Sequence, residues 1–539
     1  MPGGYSPFLR IPPFPGHKGG RLTRAGDSDV DVQDLVAAIC AGRVGGMFWG
    51  VQPEMADSVI LLVPDNEDQL QVMLARLGRD QPCAAIAPGM RLPSHCQRLP
   101  ADCDPWHLAG LAREIWAGAD QELALVACLS GASLCLFGDG RFAGCDVAPE
   151  TALADAVLGW RYTSPFTGEN WNPIDAITQL AAWRELIDAN RDNGDVYGVA
   201  RWKRVTLDAM LWGGSSPVVH ARGFRPGRSA RQHPIAWKSR TSPRVLAELA
   251  KNGADVCEIE DGFIRSVGLG ANCVPPLSAI VDLTGIYFDP SQPSDLETIL
   301  QKDKFDEKLC RRAAALKSRL VEADISKYGQ LRNDIKHAVK DRYTVLVAGQ
   351  VEDDRSICTG GFGMTNLELL ARARANEPDA HIIYKPHPDV VAGHRKGHVE
   401  TAAALRFADE IQQDASITAL IDVVDGVHVI TSLAGFEALL RGKAVTTHGV
   451  PFYAGFGLTR DLGDVPARRT RRLSLDELVA GTLLIYPRYV DPVTRLPCPA
   501  ELLVERMAHG QAGISTPLIT LRQWQGHLRS LLRALIVRL

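Results

Sequence analysis

The chain lacks a CxxC pair, and its Cys and His residues do not cluster at zinc-ligand spacing, so nothing in it reads as a structural zinc site. Its twelve cysteines are scattered, the pattern of buried, reduced thiols, and that favours the cytoplasm. It has no apolar h-region near its start: residues 1–24 are rich in Pro, Gly and Arg and read as a flexible leader without a signal peptide. Long hydrophobic runs are missing too. The longest nearly apolar stretch, Ala124–Phe137, is interrupted by Ser and Gly and is too short to cross a bilayer. The formal net charge is only −4, so no global attraction to nucleic acid is expected and any basic site must be local. With 46% hydrophobic and 23% charged residues, disorder is excluded as a description of the whole.

What is present is length and alternation. A chain of 539 residues exceeds one core, and roughly 100–200 residues per domain implies about three units. The reading is a leader over 1–25, a first α/β unit over 26–175, and an N-terminal Rossmann-like domain over 176–340. A C-terminal Rossmann-like domain follows over 341–510, then an amphipathic helix over 511–539. Residues 176–216 read as a helical lead-in, with Trp183, Ile187, Tyr197, Trp202 and Leu211 as core contacts. Short apolar runs such as PVVHARG, HPIAWKS, ADVCEIE, YTVLVAGQ and AHIIYKPHP end in loop residues and read as strands. Helices are punctuated by Ser242 with Pro243, by Thr365, and by Ser474 with Glu477 at capping-box spacing. Strand–helix alternation predicts parallel, doubly wound sheets. Two such sheets in tandem across a cleft make an α/β, GT-B-like architecture, with ligands at the carboxyl ends of the strands.

The first unit reads as a degenerate copy. Residues 131–145 align without gaps on 442–456, matching Gly131, Gly138, Phe142 with Tyr453, and an Ala-Gly pair. Where the later copy has Ser432 and Glu437, the earlier one has Gln121 and Val126. Without the polar groups it is expected to be structural.

Four constellations carry chemistry. In EIEDGFIRSVGLG a strand ends on Glu260 and Asp261, and Gly262 permits a tight bend. An acid at a strand tip suits a nucleophile or general base. Arg265, followed by Ser266, suits bidentate binding of a sugar carboxylate; a loop salt bridge between Asp261 and Arg265 is the plain alternative. In YKPHPD, Lys385 and His387 sit on a loop stiffened by prolines and suit a phosphate or leaving-group oxygen, against a rigid surface turn. In ITSLAGFEALLRG, Thr431 and Ser432 begin a helix whose N–H groups attract phosphate, and Glu437 can accept from ribose hydroxyls. The alternative is an ordinary cap and a solvated glutamate. In AGQVEDDRS, Gln350, Asp353, Asp354 and Arg355 face donor or acceptor, or form a solvated loop. The stretch 282–297 carries Asp282 and Asp289 and reads as a loop entering a helix. No motif requires a metal or other cofactor. Two basic features remain: Arg468, Arg469, Arg471 and Arg472, read either as lipid contact or as a solvated loop, and a C-terminal helix that lies on lipid or packs back on the protein.

These motifs, with YGVARWKR, PPLSAIVDLTGIYFDPSQPSDLE and IYPRYVDPVT, resemble in fixed order the capsule polysaccharide β-Kdo transferases of the KpsC/LipA type, over about residues 175–505. The resemblance implies a retaining, CMP-β-Kdo-dependent glycosyltransferase that builds a poly-Kdo linker on a glycolipid. It implies a place at the inner face of the inner membrane. Asp261 would be the acid nearest the anomeric carbon, with Glu260 orienting it or acting as acid/base. His387 and Ser432 would contact the CMP phosphate and Glu437 the ribose. Family members carry two complete catalytic modules; here one complete module follows a degenerate half. A single linkage type, or work beside a second transferase and the export machinery, is then expected. Alternatives are transfer of another CMP- or CDP-linked acidic group, and a non-catalytic assembly scaffold.

Overall fold

Strand–helix alternation builds three of the four sheets in the computed structural model, which describes residues 6–17, 23–24, 30–56, 58–78, 81–224, 232–264, 274–325, 342–393 and 395–513. Two units result. One is formed by the chain up to Asn193 with Asp208–Val219 and Thr494–Leu496, the other by Gly194–Leu207, His220–Val493 and the chain from Pro497. The basic, amphipathic C-terminal stretch read from the sequence lies outside the described residues from 514 onward. No helix among the described residues is long and apolar enough to cross a membrane, and their cysteines are free.

The first unit holds an all-parallel sheet in the order Cys96–Arg98, Cys83–Ala85, Ile60–Val63, Glu114–Gly118, Leu134–Phe137. Ile60, Leu62 and Trp116 pack with Leu70 and Met73 of the helix Glu67–Leu77, which starts where the Asn66 side chain accepts from the Gln69 amide. Asp104 is fully buried and is held by Arg184 at 2.7 Å. Arg184 belongs to the helix Pro173–Asp188. The helical lead-in expected over 176–216 is therefore divided: its first helix belongs to the first unit. Of its expected core contacts, Trp183, Ile187, Tyr197 and Leu211 are buried and Trp202 is half-buried.

The second unit contains two sheets. A parallel six-stranded sheet runs Glu410–Ile411, His381–Lys385, Thr344–Ala348, Gly426–Val429, Ala444–Thr447, Arg460–Asp461. Its central strands are apolar almost throughout because helices cover both faces. Thr365 and Ser474 head their helices with complete capping boxes, and Ser242 caps the helix Pro243–Lys251, as their spacing predicts. The order matches that of the first unit's sheet, strand for strand, less the last strand. Both copies end the compared helix on a left-handed glycine, Gly131 at φ 75° and Gly442 at φ 70°. Phe142 and Tyr453 are both fully buried. Gln121 occupies the N-cap position but makes no capping bond, and Val126 is buried. The first unit thus has the same strand order, with Gln121, bonded to Asp65, and Val126 where the second has Ser432 and Glu437.

The other sheet is ordered Arg488–Tyr489, Ser278–Asp282, Cys257–Asp261, His233–Ala236, Asn193–Tyr197. It departs from the parallel expectation, since Ser278–Asp282 runs antiparallel to both its neighbours. The expected strand at 217–223 reduces to a single bridge between Val196 and His220, and the strand is instead Asn193–Tyr197. Its Asn, Gly and Asp read locally as a turn. Gly194 is there because a Cβ would come within 3.3 Å of the His233 backbone.

Three of the four clustered arginines are tied into the protein, while Arg472 is exposed. Arg469 Nε donates to Glu297 Oε2 at 2.7 Å, and its Nη1 donates to the carbonyls of Pro451 and Ala454. Arg468 also binds Glu297, and Arg471 pairs with Glu477 at 2.9 Å. Asp282, at the end of its strand, accepts from the amides of Gly285 and Asp295 and from the Tyr486 hydroxyl at 2.5 Å. That stretch is a structural knot. Asp289 accepts from Ser291 within the same loop.

Candidate active site

The six-stranded sheet reverses its order between Thr344–Ala348 and Gly426–Val429. The chain first builds outward through His381–Lys385 to Glu410–Ile411, then returns to the other side. A crevice opens at the carboxyl edge of such a switch point. Gln350 and Thr431 follow these two strands and bridge them. Gln350 Nε2 donates to Thr431 Oγ1 at 3.1 Å, and its Oε1 accepts from the Thr431 amide at 2.8 Å. Asn366 holds the Gln350 backbone from behind, exchanging bonds of 2.8 Å in both directions. Ser432 caps the helix Leu433–Leu440 by accepting from the Ala434 amide at 3.1 Å. Its carbonyl accepts from Tyr453 Oη at 2.5 Å.

Lys385 ends the next strand and is buried; its Nζ donates to the Gln413 carbonyl. Burial pushes its pKa down, opposed by Asp414. The Lys385 carbonyl accepts from the Gly349 amide at 2.8 Å, which ties this loop to that of Gln350. His387 caps the short helix Pro388–Val391, its Nδ1 accepting from the Asp389 amide at 3.2 Å. Asp354 caps the helix Arg355–Thr359 and Asp353 pairs with Arg395 at 3.1 Å. Among the described residues no group of three or more His, Cys, Asp and Glu side chains is placed to hold a metal ion.

Replacing Gln350 by leucine is expected to destabilise the fold by about 1–3 kcal/mol, because the Thr431 amide loses its acceptor. Urea denaturation checks this.

On the other sheet the strand Cys257–Asp261 carries three carboxylates, Glu258 within it and Glu260 and Asp261 at its carboxyl end. Glu258 is almost fully buried and meets Arg355 Nη1 at 2.5 Å and Lys238 Nζ at 3.0 Å. Arg355 also lies 3.5 Å from Glu260 and 4.9 Å above the Phe288 ring. Arg355 follows the Gln350 loop, so it joins the acid cluster of one sheet to the switch point of the other. Asp261 Oδ1 accepts from Lys203 Nζ at 2.9 Å. Burial first, then the Asp261 and Glu258 carboxylates, push the Glu260 pKa up to about 7; Arg355 and Lys203 oppose the shift. Beyond Gly262, Phe263 packs 6.4 Å from Phe436 on the helix that Ser432 heads. Glu437 is the next residue and lines a cavity otherwise formed by apolar side chains, among them Phe263, Ile264, Leu320 and Leu440.

Gln350 and Thr431 are thus bonded to each other, Glu260 meets Arg355 from the loop after Gln350, Asp261 meets Lys203, and Lys385 and His387 follow the adjoining strand. Arg265 and Ser266 lie outside the described residues. Sequence reasoning missed Lys203, Trp237 and Lys238. A signal existed: Trp-Lys occurs twice, at 202–203 and 237–238, each time just after a strand.

Two facing Rossmann-like sheets whose carboxyl edges carry these groups define a GT-B-like protein. A family model described as capsule polysaccharide biosynthesis protein matches residues 235–489. The capsule polysaccharide modification protein LipA of Neisseria meningitidis is 42% identical over 348 residues, 63% of this chain and 49% of LipA. The lipopolysaccharide-processing protein LpsZ of Rhizobium meliloti is 46% identical over 245 residues, 44% of this chain and 55% of LpsZ. The chain spans about half the length of these curated relatives. Among solved structures, Thermosulfurimonas dismutans KpsC, a beta Kdo 2,4 transferase, matches with a TM-score of 0.50 at 30% identity, over 58% of this chain and 98% of that one. The chain belongs to the KpsC/LipA family of capsule polysaccharide biosynthesis proteins.

Proposed function

We propose that the chain is a retaining glycosyltransferase that moves β-Kdo from CMP-β-Kdo to a lipid-linked Kdo acceptor during capsule polysaccharide biosynthesis. The observation that carries this reading is the Glu260–Asp261 pair at a strand tip, met by Arg355 from the loop that follows Gln350 at the facing sheet's switch point. The KpsC match supports the choice of sugar.

In this mechanism an Asp261 oxygen attacks the anomeric carbon. The bond from that carbon to the CMP phosphate oxygen breaks, and its electron pair leaves with CMP. The acceptor hydroxyl then attacks the same carbon, Asp261 recovers its electron pair, and the hydroxyl proton passes to Glu260. Two inversions give net retention. A base near pH 7 is matched to this task, so transfer rises with pH through about 7 as Glu260 loses its proton. Lys385, His387 and Ser432 take the CMP phosphate and Glu437 the ribose. Arg265 with Ser266 receives the sugar carboxylate. The route uses no metal. Its setting is cytoplasmic, peripheral to the inner face of the inner membrane, beside a second transferase and the export machinery.

The test is to incubate purified protein with CMP-Kdo and a synthetic Kdo-lipid, then map the product by NMR. One β-linkage type is the expected product. Donor binding with neither transfer nor hydrolysis would point to an assembly scaffold.

A further inference from the structure

We infer that Lys203, seated on the Trp237 ring and bonded to Asp261, is the positioning residue that holds the nucleophilic carboxylate ionised and aimed. The inference rests on the reading of Asp261 given above. Lys203 ends the short 3-10 turn Arg201–Lys203, which follows the strand Asn193–Tyr197. Trp237 follows the adjacent strand His233–Ala236, and its amide donates to the Tyr197 carbonyl at 3.0 Å. The sheet therefore sets both residues at the edge where Asp261 ends its strand. Lys203 Nζ lies 3.3 Å from the centre of the Trp237 ring and 5.4 Å from that of Trp202, while donating to Asp261 Oδ1 at 2.9 Å.

An ammonium over an indole face loses water but keeps favourable electrostatics, so its position is fixed from below. Lys203 thereby fixes one oxygen of the Asp261 carboxylate, and with it the plane of the group. The electrostatic surroundings point the same way. Among the described residues, Asp261 and Glu260 are faced by Glu258 on their own strand, Lys238 after the neighbouring strand, Arg355 from the other sheet, and Lys203. Arg355 and Lys238 both converge on Glu258, and Lys203 bonds Asp261. Two adjacent carboxylates of unequal environment can take different roles: Asp261 ionised as nucleophile, Glu260 exchanging the proton.

The experiment compares wild type, Lys203→Met, Lys203→Arg and Trp237→Leu in donor consumption at pH 5.5 to 9, with donor affinity measured separately. Lys203→Met is expected to slow the first chemical step about a hundredfold at neutral pH. Donor dissociation should change little, and the acid limb should rise by about one pH unit. Lys203→Arg should recover most of the rate. Trp237→Leu should slow the step in the same direction by about tenfold, and serves if Lys203→Met does not fold. A folded Lys203→Met protein with a wild-type rate and pH profile overturns the inference. So does a wild-type rate in Trp237→Leu where Lys203→Met is not recovered. Failure of the wild type itself to consume CMP-Kdo would overturn the reading of the site instead.

Discussion

Asp261→Ala is expected, on the proposed double displacement, to lower CMP-Kdo turnover by a thousandfold or more while donor affinity stays within a few-fold, because losing a nucleophile affects chemistry and spares ground-state binding. The reason is geometric. Asp261 closes its strand opposite Ala279, and the chain turns at Gly262, whose amide donates to the Ser278 carbonyl at 3.1 Å. A Cβ at Gly262 would come within 2.4 Å of Ser278 Oγ, so only glycine lets the acid sit at the lip of the sheet. Intact-protein mass spectrometry after mixing wild type with donor should reveal a sugar adduct that maps to Asp261 and is absent from the alanine variant. Full turnover by Asp261→Ala would exclude it as nucleophile. Glu260→Gln should behave differently: it should accumulate the adduct, because the second step lacks its base.

The second large effect is on stability. His428 and His448 are both buried, on neighbouring strands of the six-stranded sheet, with Nδ1 of one 3.0 Å from Nε2 of the other. Burial, then the facing His448 and Arg460, push His428 down to about 3; burial, then Arg372 and Arg460, push His448 down to about 4. The Glu377 carboxylate 3.7 Å from His428 does not reverse this. Folded-state values below the unfolded one mean that the unfolded chain takes up protons that the folded sheet refuses. The stability is present above pH 6.5 and is lost as pH falls through the window from about 6.5 towards 4 and 3. At pH 5 the pair should cost about 4 kcal/mol relative to pH 7.5, near 2 kcal/mol for each ring. Urea denaturation of wild type and of a His428→Gln/His448→Gln variant at the two pH values isolates it, since Glu260, raised to about 7, shifts stability the other way over the same window. His448→Gln should remove about half of the pH-dependent loss; an unchanged loss would locate the proton uptake elsewhere.

The helix starts were legible because capping is local: Ser242, Thr365 and Ser474 each bind an amide three residues ahead. The acid at Asp261 and the pair Thr431–Ser432 were legible for a related reason, since a strand ending in a turn announces its carboxyl end. The repeat was visible because Gly131 and Gly442 serve the same left-handed cap. Other features were hidden by distance. Lys203 and Asp261 are 58 residues apart, and Arg355 and Glu258 are 97 apart. Nothing in the local pattern of either partner announces such a pair. The arginine cluster misled for the same reason. Its partner Glu297 lies 172 residues before Arg469, so local reading saw unpaired charge where the fold has a buried clamp.

From residue order alone came the α/β class, the family resemblance, the helix caps and the list of polar strand ends, because each is written in neighbours a few positions apart. Strand order decided the rest: which sheet turns antiparallel at Ser278–Asp282, which cation meets which carboxylate, and how Arg355 reaches the acids. The physical reason is that ion pairs and buried pKa shifts act through space over a few ångströms, and only the folded sheet brings chain segments so far apart in sequence to that range.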